Sequence, residues 1–303
     1  MRESIHKYFK VGLIQFMANP AGIRGEDPEI LDNIKKIACD DYFDAIELSW
    51  IKDPATRAKV AKMLDVAHMT VCYAAQPRLL TTGLNPNHLD ENERQKAEAT
   101  LIEAIDEAQE LGSKGVAFLS RQWEEATKEK SYAQLLKTTR NLCDYAKTKD
   151  MLIELEVFDF DIAKKSLIGP APLAAQFAAD IRTTHSNFGL MIDLSHIPMT
   201  YETPEFVVRT LRPYLTHFHI GNTVCRDPNA EGYGDEHQRF GFPGGSNDVQ
   251  EVLQFLRILK KEGFFNVDDP YVMSFEVKPW QDEDPDIVVA NAKRTLNRAW
   301  ALL

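Results

Sequence analysis

The chain has 303 residues, with 35 Lys and Arg against 46 Asp and Glu, which gives a formal net charge of -11. This acidic balance argues against a nucleic-acid-binding surface, because such a surface needs clustered Lys and Arg to neutralise phosphates. The content of 27% charged and 44% hydrophobic residues is ordinary for a globular protein and excludes a largely disordered or coiled-coil chain.

The sequence also lacks membrane and export signals. It contains no stretch of about 18 consecutive apolar residues, and residues 1–10 lack the apolar segment and the small-residue cleavage site of a signal peptide. We therefore expect a cytoplasmic protein with no membrane partner. A length near 300 residues permits either two domains or one large α/β barrel.

Along the chain, eight short apolar runs alternate with segments of helical periodicity. The predicted strands are Val11–Phe16, Ala45–Leu48, Thr70–Ala74, Gly115–Leu119, Leu152–Val157, Phe188–Asp193, Leu215–Ile220 and Tyr271–Glu276. The predicted helices follow them at residues 29–40, 54–67, 90–111, 130–149, 172–183, 204–212, 248–262 and 284–301. The mean repeat of about 38 residues is close to that of a (β/α)₈ barrel.

The connections between these elements decide between a barrel and an open sheet. An open doubly wound sheet would have a glycine-rich phosphate-binding turn after the first strand, and residues 15–20 do not form one. No linker rich in Pro, Gly or Ser interrupts the series. We therefore predict a single (β/α)₈ TIM barrel, with residues 1–303 as one domain.

In such a barrel the active site lies at the C-terminal ends of the strands. The last four predicted strands deliver polar residues there, which are Glu154 and Glu156, then Asp193 followed by His196, then His217 and His219, and finally Glu276. Three converging carboxylates would repel one another unless a cation lay among them, and three carboxylates with one neutral imidazole suit a divalent ion. An oxygen-rich shell with one nitrogen favours Mn²⁺, Mg²⁺ or Co²⁺.

A site of this kind suits chemistry on a ketone that carries a neighbouring hydroxyl group. A metal that chelates a carbonyl and the neighbouring hydroxyl makes the adjacent C–H acidic and stabilises the resulting enediolate. Two carboxylates can then move a proton between faces or between carbons, which gives an epimerase or an isomerase. If the enediolate instead expels a group, the same site is a lyase, such as a dehydratase, decarboxylase or deglycosylase acting on a keto-sugar or keto-acid.

The same segments carry a family resemblance. These are Leu155-Glu156-Val157-Phe158, Ile192-Asp193-Leu194-Ser195-His196, His217-Phe218-His219-Ile220-Gly221 and Ser274-Phe275-Glu276. Together they resemble the xylose isomerase-like TIM barrel superfamily, especially its sugar epimerase and isomerase branch, which includes tagatose/psicose 3-epimerases and inosose dehydratases. The resemblance covers nearly the whole chain.

The resemblance implies the residues of the site. It implies that Glu156, Asp193, His219 and Glu276 hold one divalent metal ion, for which we favour Mn²⁺, with Mg²⁺, Co²⁺ or Zn²⁺ as alternatives. It further implies that Glu156 and Glu276 exchange substrate protons as catalytic residues, and that His196 contacts the sugar. In the epimerases an arginine shortly after the metal-binding histidine also binds substrate, and Arg226 stands one residue beyond the matching place.

Other residues near the predicted rim are candidates for substrate binding. Gln15 ends the first predicted strand, and Trp50 follows the second, where an aromatic side chain either holds a sugar or packs at the rim. Lys278 lies two residues beyond Glu276, where it either supports an anionic intermediate or pairs with that carboxylate. The polar segment after the third strand, from Gln76, is expected to be a long loop that contributes to the rim.

The connection after the seventh strand, from Gly221 to Asp248, is longer than about 15 residues, and such loops are usually functional. Its Asp235-x-His237 pair resembles the pair that binds additional zinc in the endonuclease IV branch of the superfamily. That branch takes two further histidines from the third and fourth strands, which this chain lacks, so a nuclease is disfavoured. His237 is expected to contact substrate or to cap the loop, and Arg239 to bind a substrate oxygen or carboxylate.

The sequence thus predicts a divalent-metal-dependent sugar isomerase or epimerase whose partner is a small-molecule sugar or keto-sugar. A metal-dependent lyase is the main alternative, and a non-catalytic binding barrel is a minor one. The substrate, the metal and the oligomeric state stay open at this level, although superfamily members often pair through barrel helices.

Overall fold

The structure is a computed structural model that describes residue 1 and residues 3–303. Its strands are β1 (Phe9–Ile14), β2 (Ala45–Leu48), β3 (Thr70–Ala74), β4 (Gly115–Leu119), β5 (Leu152–Val157), β6 (Phe188–Asp193), β7 (Leu215–Gly221) and β8 (Tyr271–Glu276). They form a closed barrel in chain order, in which β8 pairs in parallel with β1. The predicted (β/α)₈ barrel is therefore confirmed.

The helices lie between the strands. They are α1 (Gln15–Ala18), α2 (Ile30–Ala38), α3 (Pro54–Val66), α4 (Gln76–Thr82), α5 (Glu91–Glu110), α6 (Lys128–Lys147), α7 (Ala171–Arg182), α8 (Pro204–Leu211), α9 (Val249–Lys261) and α10 (Pro285–Leu302). Short 3₁₀ turns cover Ile5–Lys7, Pro20–Arg24, Glu125–Thr127 and Ile197–Thr200. None of the helices in the described part of the chain has the length and apolar character needed to cross a bilayer.

The predictions for the end of the first strand and for the segment after the third strand were wrong. The first strand ends at Ile14 rather than Phe16, because Gln15 opens α1 and its carbonyl accepts a hydrogen bond from Asn19 N–H at 2.8 Å. The segment after the third strand begins as α4 rather than as a loop, since Pro77 suits the first turn of a helix. Gly83, with φ of +73°, ends that helix in the left-handed region.

The core lies between the outer face of the barrel and the helices. Phe218 in β7 is fully buried there and packs edge-on against Phe9, Phe255 and Phe264. The interior of the barrel is different, because several strands place polar side chains inside it, and Glu47, Glu154, His217 and Ser274 are all buried. Apolar packing outside the sheet thus supports a polar interior that opens at the C-terminal mouth.

Candidate active site

Strands β5 to β8 carry the four predicted metal ligands at the same mouth of the barrel. Glu156 is the penultimate residue of β5, Asp193 and Glu276 end β6 and β8, and His219 lies two residues before the end of β7. In the parallel register Asp193 lies beside His219, and Gly221 lies beside Glu276. All four predicted ligands are buried. The closed sheet therefore brings them to one end of the interior.

The ligand atoms approach one another closely. His219 Nδ1 lies 2.8 Å from Glu276 Oε2 and 3.3 Å from Glu156 Oε1, and one ligand atom from each of these three residues lies within 4.8 Å of the others. A second group with the same spacing consists of Asp193, His196, His237 and Glu276. Glu276 belongs to both groups, so the four predicted ligands form a connected cluster without all belonging to one group.

The donor set fits a divalent cation. Oε1 of Glu156 is buried and has no hydrogen-bond partner among the residues that the structure describes. Burial raises the pKa of Glu276, and the neighbouring Glu156 carboxylate adds to this although His237 opposes it. A cation between the two carboxylates would remove their repulsion and supply the missing partner. Glu156, His219 and Glu276, with Asp193 beside them, would hold it.

Asp235 forms a second centre beside this cluster. Its Oδ2 lies 2.7 Å from Lys164 Nζ, and its Oδ1 lies 2.8 Å from His237 Nε2 and 3.2 Å from His196 Nε2. Burial would lower the pKa of His196, but the carboxylates of Asp235 and Asp193 outweigh burial and raise the pKa to about 10. One buried carboxylate therefore orients two imidazoles and an ammonium group toward the cluster.

A cavity of about 190 Å³ opens over these residues. One wall is polar and consists of Glu156, Lys164, His219, Asp235, Glu236, His237, Glu276 and Lys278. The other wall is mostly apolar and comes from the end of β1, the β1–α2 connection and α4, through Ile14, Phe16, Met17, Ile23, Pro77 and Leu80, with Phe158 just after β5. The site therefore offers a small molecule acid, base and cation groups on one side and hydrocarbon on the other.

Four predicted substrate-binding residues lie after β7 and β8, and one of them, His237, lines the cavity; the other three differ in their positions. Lys278 lines the cavity, but its ammonium group donates to Glu236 rather than to Glu276. Arg239 is outside the lining, and its Nε donates to Glu283 Oε1 at 2.8 Å. Arg226 is exposed in the same connection and is also outside the lining. The structure therefore brings only Lys278 of these three to the cavity.

Gln15 and Trp50 lie just behind the apolar wall. Gln15 is buried at the start of α1, and its Nε2 has no hydrogen-bond partner within the described residues. The Trp50 indole donates to the carbonyl of Ile23 at 2.9 Å, and the Arg78 guanidinium lies 5.2 Å from the ring centroid. Trp50 thus binds the backbone of Ile23, a residue of the apolar wall, from outside the cavity lining. Neither residue is part of the cavity lining.

Several residues of the site were missed by sequence reasoning. Gln76 donates from Nε2 to Glu156 Oε2 at 2.7 Å and fixes that carboxylate, and Lys164 reaches the site from the long β5–α7 connection. Neither carries a sequence signal beyond its place after a strand. Glu47 did carry a sequence signal, because a charged residue between apolar neighbours in a parallel strand of a barrel must face the barrel interior.

A larger cavity of about 740 Å³ lies at the opposite end of the barrel. Its lining includes Lys10, Thr70 and Leu152 at the starts of strands. Function in this fold resides at the C-terminal mouth, whereas the N-terminal face serves stability. The smaller cavity over the carboxylates is therefore the candidate active site.

Gly221 ends β7 next to Glu276 and permits a close approach of the two strands. A Cβ atom at this position would lie 2.5 Å from the carbonyl oxygen of Glu276, so the backbone of β8 would have to shift. We expect Gly221→Ala to weaken divalent-metal binding and to lower the free energy of unfolding by about 1–3 kcal/mol. Calorimetric metal titration and denaturant unfolding measure both effects. Gly22→Ala is the matched control, because its nearest contact would be an ordinary 3.5 Å, and an equal effect there would contradict the argument.

Comparison with known proteins identifies the family. A family model described as Xylose isomerase-like TIM barrel matches residues 35–291. The chain belongs to this family. The resemblance stated from the four strand ends is therefore confirmed. A search of curated proteins finds no match to the chain.

Solved structures of the same fold cover nearly the whole chain. The IolI protein with a binding zinc atom has a TM-score of 0.72 at 17% identity, covering 96% of this chain and 98% of its own. D-psicose 3-epimerase with D-tagatose from Clostridium cellulolyticum H10 has a TM-score of 0.70 at 16% identity, covering 97% of this chain and 99% of its own. A D-tagatose 3-epimerase-like protein has a TM-score of 0.69 at 20% identity, covering 96% of this chain and 98% of its own. At these identities the likeness establishes the family's fold.

Proposed function

We propose that this protein is a divalent-metal-dependent isomerase or epimerase of sugars that moves a proton through an enediolate. The observation that carries the proposal is the pair of buried carboxylates, Glu156 and Glu276, which both approach Nδ1 of His219 beneath one small cavity. Proton transfer on both faces of a substrate requires two such groups within reach of one carbon. Mn²⁺ is the metal that we propose, with Mg²⁺, Co²⁺ and Zn²⁺ as alternatives.

The residues have separate roles in this reaction. A divalent ion bound beside His219 would polarise a substrate carbonyl and acidify the adjacent C–H. One of Glu156 and Glu276 removes that proton, and the other returns one to the opposite face or to the neighbouring carbon. Gln76 donates to Glu156 Oε2 at 2.7 Å and leaves Oε1 of that carboxylate without a hydrogen-bond partner among the described residues.

Substrate hydroxyl groups are proposed to bind the polar wall. The His196 ring packs against that of Phe158 with centroids 4.2 Å apart and planes tilted by 34°, which fixes the imidazole at the edge of the cluster. Lys164 and Lys278 line the cavity and stay paired with Asp235 and Glu236, so they serve as hydrogen-bond donors of fixed orientation.

The family and its solved members support the proposal. The similar structures include D-psicose 3-epimerase with D-tagatose and the IolI protein with a binding zinc atom. A keto-sugar substrate and a divalent metal ion are therefore consistent with this fold. For this chain we propose both. The small size of the cavity, about 190 Å³, supports a small molecule as the partner.

Metal content and isotope exchange test the proposal together. Purified protein should contain about one divalent ion per chain, because the two groups of carboxylate and imidazole donors share Glu276 and form one connected cluster. Incubation with a panel of ketoses in D₂O should place deuterium on a carbon next to the carbonyl, as mass spectrometry and NMR would report. Full activity after exhaustive removal of metal by a chelator would contradict the proposed mechanism.

The same experiment separates an isomerase from a lyase. An isomerase or epimerase returns a product of unchanged mass apart from deuterium, whereas a lyase releases water, CO₂ or a larger fragment. Release of a fragment from a keto-sugar or keto-acid, without formation of an isomer, would replace the proposed function with the lyase alternative.

A further inference from the structure

A second layer of charged residues lies inside the barrel, below the predicted metal ligands. It consists of Glu47 from β2, Glu154 from β5 and His217 from β7, and their exposed fractions are 1%, 7% and 3%. The layer connects upward to the site through His219 and downward to the larger cavity, whose lining includes Glu154 and His217. These residues are not part of the lining over the carboxylates.

Glu47 joins the two histidines of β7. Its Oε1 lies 2.9 Å from Nε2 of His217 and 3.0 Å from Nε2 of His219. An ionised carboxylate only accepts hydrogen bonds, so both imidazoles donate their Nε2–H to this one oxygen. The contact with His219 therefore fixes which of its two nitrogen atoms carries the proton.

The tautomer of His219 matters because its other nitrogen faces the site. Nδ1 lies 2.8 Å from Glu276 Oε2 and 3.3 Å from Glu156 Oε1, among the donors that would surround a metal ion. Nδ1 can offer a lone pair to a cation only when the proton resides on Nε2. A carboxylate that accepts this proton in a hydrogen bond also makes the imidazole a stronger ligand.

Stability alone does not explain a carboxylate at position 47. Its Oε2 has no hydrogen-bond partner among the described residues, although the side chain is fully enclosed. Buried charges are costly, and apolar residues of similar volume are often equally or more stabilising in their place. The neighbours of Glu47 that use its charge are the two histidines.

We propose that Glu47 is a positioning residue of the metal site, which holds His219 with Nε2 protonated and Nδ1 directed at a divalent cation. The inference rests on the metal site of the proposed function, but not on its substrate or its reaction. His217 completes the arrangement from below. Glu154 Oε2 lies 3.5 Å from His217 Nδ1, and Glu154 Oε1 accepts from Thr216 Oγ1 at 2.6 Å.

Binding of Co²⁺ to metal-free protein tests the proposal without a substrate. Glu47→Gln keeps the shape of the side chain but removes its charge, and we expect the affinity for Co²⁺ to fall by about 10–100-fold, as measured by competition with a chelator. Glu47→Leu removes the hydrogen-bond acceptor, so its affinity for Co²⁺ should fall at least as far. The visible absorption of the Co²⁺ complex should also change, because the orientation of one imidazole ligand is no longer fixed.

Glu154→Gln is the matched control. It neutralises a buried carboxylate of the same layer that contacts His217 but not His219, so Co²⁺ affinity should stay close to that of the wild type. Thermal unfolding of each metal-free variant shows whether it has folded. An affinity of Glu47→Gln equal to that of the wild type would overturn the proposal, as would equal losses in Glu47→Gln and Glu154→Gln.

Nitrogen NMR of the unsubstituted protein gives a test that needs no variant. In the Zn²⁺-loaded protein with ¹⁵N-labelled histidine, we expect the His219 signals to show a protonated Nε2 and a metal-bound Nδ1. The opposite assignment would refute the role of Glu47 even if every variant failed to fold. Failure of the wild-type protein to bind any divalent ion would instead contradict the proposed function.

Discussion

Glu156→Gln and Glu276→Gln are each expected to reduce kcat by at least about 10²–10⁴-fold, the usual contribution of a positioned acid or base. Each amide keeps nearly the shape of the carboxylate but can neither take nor return a proton at neutral pH. Both residues are buried beside His219 beneath the cavity. Steady-state turnover of an accepted ketose measures the effect.

Partial exchange distinguishes a two-base site from a general loss of structure. If the two carboxylates serve opposite faces of the substrate, each variant should still exchange deuterium into the epimer whose proton faces the remaining carboxylate. Neither variant should convert one epimer into the other. Retained turnover in both variants would remove these residues as acid and base.

Two controls accompany this measurement. Metal content of each variant separates the loss of a ligand from the loss of a base, because an amide oxygen can still coordinate a cation. Glu154→Gln neutralises a buried carboxylate inside the same barrel that is outside the lining of this cavity. This control should keep most of the turnover, so a comparable loss there would point to a general charge effect.

The positions of the strands could be predicted from the sequence because each strand is a short apolar run. β2 to β6 and β8 have the predicted bounds, and β7 is one residue longer. The position of the four candidate ligands at the barrel mouth could be predicted for the same reason, since a charged residue at the end of such a run must lie there. Gln15 was placed in a strand because the helix that it opens has only four residues.

The contacts that complete the site could not be predicted, because they depend on how long connections fold. Lys164 and Asp235 are far apart in the chain, and neither connection has a periodicity that fixes where its side chains point. Arg239 was a candidate for substrate binding, but a guanidinium in such a loop can equally bind a structural partner. Here its Nε donates to Glu283. Loop contacts of this kind follow from the folded geometry.

The β5–α7 connection depends on one buried carboxylate, that of Asp159. This side chain has no exposed surface, and its oxygens accept from the backbone N–H groups of Ile162, Ala163, Lys164 and Lys165 at 2.7–3.2 Å. The turn that presents Lys164 to Asp235 is therefore built around the carboxylate of Asp159. Among the described residues of this connection, no other side chain accepts hydrogen bonds from as many backbone N–H groups.

Asp159→Ala is expected to lower the free energy of unfolding by roughly 2–4 kcal/mol, because several backbone donors lose a charged acceptor and the loop can recover only part of this by opening to water. Activity should fall with it, since Lys164 would no longer be fixed beside Asp235. Denaturant unfolding and turnover measure the two effects, and Asp159→Asn, which keeps one acceptor oxygen, should lie between. Asp161→Ala alters an exposed carboxylate in the same connection and should stay within about 0.5 kcal/mol of the wild type. If both alanine variants lost equal stability, the loop would depend on charge in general, and Asp159 would have no special part in forming the site.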